Sequence, residues 1–578
     1  MARQTPAPNP IDIKMRAALA DATASMSPQS ILLAWLDWAS HLAISPGKQA
    51  ELSALALAQA SALAGYLREC LMDGPGGAHD CIEPPALDRR FAAEEWRRWP
   101  FNLWHQAFLL NQRWWEEATR GVRGVDPHHE NVVAFAARQW LDMFSPGNQL
   151  LTNPVALKRT VGEGGANLLR GQSILADNVQ RLLAGRPPAG AEDLVVGRDV
   201  AATPGKVVLR NRLIELIQYV PATRKVHPQP VLIVPAWIMK YYILDLSPHN
   251  SLVKYLVDQG HTVFCISWKN PGAGERDLGM DEYLDLGFRA ALDAVNAIVP
   301  KRKVHATGYC LGGTLLAIAA AAMARDGDDR LASLSLFTAQ TDFSEPGELA
   351  LFIDESQVAL LEAQMQEKGY LGAEQMAGAF QMLRSCDLLW SRMVNEYLLG
   401  ERRPMNDLMA WNADATRMPA KMHAQYLRRL FLGDDLSEGR YPVDGRPVSL
   451  GDIALPVFAV GTLDDHVAPW RSVHKLHYLT PTEITFVLTS GGHNAGIVSE
   501  PGRPRRSFRV ATRPAGGNYV PPDPWSEATP SRDGSWWPAW AAWLRARSGD
   551  PVAPPPLGAP RKGYRPVGDA PGRYVLEK

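Results

Sequence analysis

Residues 303–324 read KVHATGYCLGGTLLAIAAAAMA. Lys303–Thr307 predicts a strand and Thr314–Ala324 an Ala-rich helix. Between them lies Gly308-Tyr309-Cys310-Leu311-Gly312-Gly313, a G-x-C-x-G turn. In a strand–turn–helix context, such a turn holds a nucleophile in a strained backbone conformation at the top of a sheet. Gly308 and Gly312 flank it because side chains there would clash. Cysteine stands where the motif usually has serine. The helix that starts just after Cys310 points its amide dipoles at the sulfur, which favours the nucleophilic thiolate. A structural cysteine in a Gly-rich turn is the alternative; the strand before and the helix after favour the reactive reading.

Working outward, short apolar runs recur at Val231–Val234, Thr262–Trp268, Leu331–Thr338, Val457–Val460 and Ile484–Leu488. Helical patterns at Asn250–Gln259, Asp281–Val299 and Thr314–Ala324 separate the first four strands. Strands alternating with helices predict a largely parallel sheet. The alternation stops between about 340 and 455, where a helix-rich stretch reads as a cap inserted between two strands. The expected fold class is α/β, an α/β-hydrolase fold with an inserted cap.

A thiol nucleophile needs a base, and the base needs an orienting acid. In this fold both follow the nucleophile, each after a later strand. Val457–Val460 leads into Gly461-Thr462-Leu463-Asp464-Asp465-His466, and Ile484–Leu488 into Thr489-Ser490-Gly491-Gly492-His493-Asn494. Asp465 and His493 are the expected acid and base. His466 competes as base and Asp342, just after Leu331–Thr338, as acid. The oxyanion hole is expected from the amide of Leu311 and from the loop Pro235–Met239, at Trp237 or its neighbour.

The remaining sequence is mainly helical. Residues 1–26 read as a flexible leader. A short helical module spans 27–80, with Ser27-Pro28 and Ser45-Pro46 as helix starts and Gly74-Pro75-Gly76-Gly77 as the break. A helical N-terminal domain spans 91–204. Its run WRRWPFNLWHQAFLLNQRWWEE (96–117) reads either as core or as an amphipathic surface. The catalytic domain runs over 205–548, and the Pro/Gly-rich residues 549–578 form an extended tail. Lys+Arg number 60 and Asp+Glu 61, a balance without the global field that draws in nucleic acid. Five Cys in 578 residues exclude a disulfide scaffold. No transmembrane segment or export signal is visible, so the cytoplasm is the expected location.

The motifs closely resemble the polyhydroxyalkanoate synthases. VPAWIMKYYILDLSPHNSLVKYLVDQGHTVFCISWKNP (234–271) looks like the family's central block and GYCLGGT (308–314) like its lipase-like box. LDDHVAPW (463–470) and GGHNAGI (491–497) look like its acid and histidine segments. GSWWPAWAAWL (534–544) and PGRYV (571–575) look like its C-terminal signatures. Upstream, AWLDWASHLAISPGKQAEL (34–52) and QWLDMFSPGNQLLTNP (139–154) are similar to its N-terminal regions. The resemblance implies a class I-like acyltransferase that polymerises (R)-3-hydroxyacyl-CoA, 3-hydroxybutyryl-CoA above all, with release of CoA. It implies Cys310 as acylated nucleophile, Asp465 as acid and His493 as base. No cofactor or metal is expected, since the CoA thioester is the substrate. The implied partners are the growing polyester chain, the granule surface, phasin-type granule proteins and a second copy in a homodimer. Met239, Tyr309 and Leu311 depart from residues common in the family and bear on monomer length. The rival readings are a cysteine-type hydrolase (a thioesterase or lactone hydrolase) and a non-enzymatic granule-coating protein.

Overall fold

Strands buried on both faces must be apolar throughout, and short runs of Val, Ile, Leu and Phe supply them here. The computed structural model describes residues 9–578 except 73–78, 86–87 and 384–388. Among these, an 11-stranded sheet is built from β1 (Gly205–Arg210), β2 (Ile214–Tyr219), β3 (Val231–Val234), β4 (Val263–Trp268), β5 (Val304–Tyr309), β6 (Leu331–Phe337), β7 (Val457–Thr462), β8 (Ile484–Thr489), β9 (Ser507–Arg513), β10 (Ser531–Asp533) and β11 (Gly568–Asp569). Their spatial order is β10-β9-β8-β7-β6-β5-β3-β4-β2-β1-β11. The six runs expected from the sequence are β3 to β8, and these pair in parallel. The flanking strands all pair antiparallel, so the sheet is mixed rather than largely parallel.

The strand order turns back between β5 and β3. In open α/β sheets the crevice at such a reversal, beyond the carboxyl ends of the strands, is where sites form. The helix Leu311–Asp326 follows β5 and is buried from Leu311 to Met323. A helix enclosed on all sides has to be apolar, and its alanines let it lie close to the sheet. The C-terminal helix Trp537–Ala546 also packs on the sheet. Trp536 and Trp540 lie edge-on to Phe337 at 4.9 and 5.0 Å between ring centres. The Trp540 indole donates to Ser335 Oγ at 2.9 Å.

Two compact units make up the chain. One comprises the segment up to Ser25, Gly190–Ala377 and Met405–Lys578; the other comprises Met26–Ala189 and Gly378–Pro404. In the first, the supposed flexible leader holds a helix, Pro10–Ala22, packed on helix Glu355–Lys368. Gln364 donates to Asp21 at 2.8 Å, and Ser25 donates to Gln364 at 2.9 Å. Asn9 caps this helix through the Ile11 amide, and Pro10 starts it. Composition alone hid that signal.

The segments expected as two separate helical regions, 27–80 and 91–204, share the second unit as far as Ala189, and part of the expected cap joins them. Helix Pro28–Ala43 starts at its Ser27 cap, and Pro46–Met72 follows. The expected Gly74–Gly77 break lies outside the described residues. Of the Trp-rich run, Trp96 is buried with Phe91, Phe108 and Leu141, whereas Trp99 and Trp104 are exposed. The run is therefore core in part and exposed in part.

The tail is extended and sewn to the sheet unit. β11 pairs with β1, Val552 bridges Val226, and the Arg573 and Tyr574 amides donate to the buried Glu215 carboxylate. The Lys240 ammonium donates to the Glu577 carbonyl at 2.6 Å, and burial pulls its pKa down to about 8.

Candidate active site

Cys310 joins β5 to the helix Leu311–Asp326 with φ +52° and ψ −124°. That backbone is strained for a residue with a Cβ, by roughly 1–3 kcal/mol, so its surroundings must hold it there. The Cys310 amide donates to the Phe337 carbonyl at 2.9 Å, and its carbonyl accepts from the Gly313 and Thr314 amides. The glycines are required by close approach. A Cβ on Gly308 would stand 2.4 Å from Gly313 Cα, and one on Gly313 would stand 2.4 Å from Ala339 Cβ. One on Gly312 would stand 2.1 Å from the Val234 carbonyl oxygen. The thiol is free and half-buried.

Asp465 follows β7 and is buried. Its Oδ1 accepts from the Val467 and Ala468 amides at 2.9 and 2.8 Å, and its Oδ2 from Thr462 at 2.9 Å. The same Oδ2 lies 2.8 Å from His493 Nδ1, in the loop after β8. Burial pushes this carboxyl up, but the His493 ring and the two amides outweigh it and leave the pKa below the usual value. Burial works against the His493 imidazolium. The Asp465 carboxylate, the Cys310 sulfur and hydrogen bonds to both nonetheless hold its pKa well above the ordinary value. Asp465 and His493 are thus hydrogen-bonded, with the Cys310 sulfur close enough to act on the imidazole, and the three come from the ends of three parallel strands. Tyr309 stands beside it, its ring 5.7 Å from that of His493 and its hydroxyl donating to Asn494.

The alternative acid is engaged elsewhere. Asp342 accepts from Ser344, from Tyr478 at 2.8 Å and from Lys475 at 3.1 Å. Asp342→Asn is accordingly expected to leave kcat within about threefold of the parent, read as CoA release. The imidazole paired with Asp465 is that of His493. His466 gives its carbonyl to the Glu348 amide.

Leu311 is the first residue of the elbow helix, where amides lack intrahelical acceptors. The Trp237 side chain is buried against Trp268 and Tyr283, and its carbonyl accepts from Thr416. What it has to offer the site is therefore its backbone. The close approach of Gly312 to Val234 and Pro235 places this loop against the elbow.

Sequence reading missed the aromatic wall from the inserted segment. Burial and the nearby Cys310 sulfur raise the Tyr426 pKa well above its usual value. Its ring lies 5.4 Å from Phe431 and 6.4 Å from Phe343. No motif announces these residues, because only the folding of the insert brings Tyr426 to the cysteine and the two phenylalanines to Tyr426. It also missed Thr462, whose place at the end of β7 aims its hydroxyl at Asp465. Among the described residues no cluster of three His, Cys, Asp or Glu side chains has the arrangement of a metal site.

Three family profiles match the chain: a poly-beta-hydroxybutyrate polymerase N-terminal profile over residues 6–48, the PhaC N-terminus profile over 87–256, and the alpha/beta hydrolase fold over 229–500. A poly(3-hydroxyalkanoate) polymerase of Methylorubrum extorquens is 41% identical over 503 residues, covering 86% of this chain and 82% of that protein. The polymerase subunit PhaC of Rhizobium meliloti is 39% identical over 508 residues, with 86% and 82% covered. That of Cupriavidus necator is 37% identical over 506 residues, with 86% and 84% covered. Likeness of this extent spans both the helical region and the sheet that carries Cys310, His493 and Asp465, and with it the chain belongs to the poly(3-hydroxyalkanoate) polymerase family.

Proposed function

We propose that the chain polymerises (R)-3-hydroxyacyl-CoA, with 3-hydroxybutyryl-CoA as monomer, through an acyl group carried on Cys310. The observation that carries this reading is the His493–Asp465 hydrogen bond at 2.8 Å beside Cys310, at the strand ends. His493 takes the thiol proton, and the thiolate attacks the thioester carbonyl. The amides of Leu311 and of the Trp237 loop receive the developing oxyanion. The C–S bond to CoA breaks, and the departing thiolate takes the proton back from His493. A 3-hydroxyl then attacks the acyl-cysteine while His493 removes its proton, held in orientation by Asp465. An ester replaces a thioester, so this second step drives chain growth. The reaction calls on no cofactor.

Water in place of the hydroxyl would turn the same chemistry into hydrolysis. Tyr426 beside the cysteine, with Phe343 and Phe431 packed on its ring, supports a dry site that favours transfer. Exposed apolar side chains of the N-terminal helices, among them Leu33, Leu36, Trp140 and Phe144, support attachment to an apolar granule, with phasin-type proteins and a second copy as further partners. Among the described residues no helix is long and apolar enough to cross a membrane.

The test is to trap the intermediate. Brief mixing with one equivalent of 3-hydroxybutyryl-CoA, acid quench and digestion should put one hydroxybutyryl mass on the peptide that contains Cys310. An adduct elsewhere, or free acid formed in step with CoA, would overturn the proposal.

A further inference from the structure

His493 sits in a loop of small residues, Ser490-Gly491-Gly492-His493-Asn494-Ala495-Gly496. Gly491 has φ +102°, a conformation glycine tolerates and other residues resist. Yet a base must be held to within a fraction of an ångström of the atom it serves. Several bonds hold this loop: the Asp464 amide donates to the Gly491 carbonyl at 3.0 Å, the Trp536 indole to the Gly496 carbonyl at 3.0 Å and the Tyr309 hydroxyl to Asn494; a side chain that no motif singles out adds two more.

Arg506 immediately precedes β9. Its Nη2 donates to the Ala495 carbonyl at 2.8 Å and its Nη1 to the Ser490 carbonyl at 3.2 Å. One planar guanidinium therefore spans the two ends of the segment that carries His493. Its own place is fixed: the Arg506 carbonyl accepts from the Gly534 amide at 2.7 Å, and the next residue pairs with Ser490. A Cβ on Gly491 would stand 2.5 Å from Nη1, so the glycine leaves the room in which the guanidinium sits. The guanidinium is half-buried and makes no ion pair among the described residues; burial and the neighbouring Arg503 lower its pKa, with Glu500 and Asp464 opposing. A cation kept in so unfavourable a setting, with both terminal nitrogens given to main-chain oxygens of one loop, points to that loop as its task.

We infer that Arg506 is the positioning residue of the histidine loop: its guanidinium bridges the Ser490 and Ala495 carbonyls and thereby sets the reach of His493 toward Cys310. The inference rests on the proposed role of His493. Arg506 touches no reacting atom, so its loss should slow chemistry and spare binding.

The experiment uses the full chain and 3-hydroxybutyryl-CoA. Arg506→Ala should lower kcat by about 10²-fold with KM within about threefold. Guanidinium chloride, at concentrations that leave the parent rate unchanged, should restore at least about tenfold of that loss, because the free ion can occupy the vacated fork. The same salt should do nothing for His493→Gln. Arg506→Lys, with one point donor in place of a fork, should fall between parent and alanine. Should the alanine variant fail to fold, the lysine variant decides: kcat lowered at unchanged KM supports the inference, and parental kcat overturns it. An Arg506→Ala enzyme with parental kcat, or with a loss that guanidinium leaves untouched, also overturns it. Parental activity in His493→Gln would instead sink the underlying reading of the base, so the two failures stay distinct.

Discussion

Cys310→Ala is expected to release CoA at least ~10⁴-fold more slowly than the parent chain, and His493→Gln to fall almost as far. Alanine removes the sulfur without changing the demand on the backbone, since both residues carry a Cβ at the same φ of +52°. The variant should therefore fold and still bind substrate. Its remaining rate is what binding and the oxyanion amides provide without a nucleophile. Glutamine at 493 keeps a polar side chain near Asp465 but has no group that exchanges a proton near neutrality. In the proposed mechanism the two side chains act as a unit, so the double variant should be no slower than the slower single one. Asp465→Asn should cost less, about 10²–10⁴-fold, because the carboxylate works through the imidazole. A thiol-reactive dye that reports free CoA measures all four. Either single variant within tenfold of the parent would remove Cys310 and His493 from the chemistry.

Gly312→Ala is the second large effect, and its sign runs against propensity. Within a helix alanine is better than glycine by about 1 kcal/mol. Here the added methyl would stand 2.1 Å from the Val234 carbonyl oxygen and 2.5 Å from that of Pro235. Neither oxygen can swing aside. Val234 ends a buried strand, and the Pro235 carbonyl accepts from the Trp268 indole at 2.8 Å. Relief requires the elbow helix to draw back from β3. Overpacking against rigid backbone outweighs the propensity gain, for a net loss of about 3–5 kcal/mol. A urea midpoint well below the parent's at similar m-value is the expected reading. A parental midpoint would mean that the elbow does not rest on β3.

The centre of the sheet was legible because its strands are buried on both faces and therefore read as plain apolar runs. β1 and β9 are half-exposed and carry charges such as Lys206, Arg509 and Arg513, so no run marks them. Turn chemistry made the elbow legible, and strand ends made Asp465 and His493 stand out. Arg506 escaped because an arginine between Arg505 and Ser507 looks like any solvated basic stretch; only the fold shows where its fork points. The aromatic wall escaped for the same reason. The segment Gly378–Pro404 read as cap by its position in the chain, yet it packs with helix Ala166–Leu183, whose Gly171 lies against the Tyr397 carbonyl. Association of this kind depends on surfaces, which local periodicity does not encode.

The pairing of β11 with β1 has a consequence for biosynthesis. A ribosome delivers β1 and Lys240 well before their partners near Asp569 and Glu577, with 337 residues separating Lys240 from Glu577. At roughly 5–20 residues per second the nascent chain waits some tens of seconds for them. Throughout that interval the outer rim of β1 has open amides and carbonyls, and the Lys240 ammonium lacks its acceptors. The edge of this unit is thus completed late in synthesis, and the growing polypeptide needs shielding from its neighbours on the polysome until then.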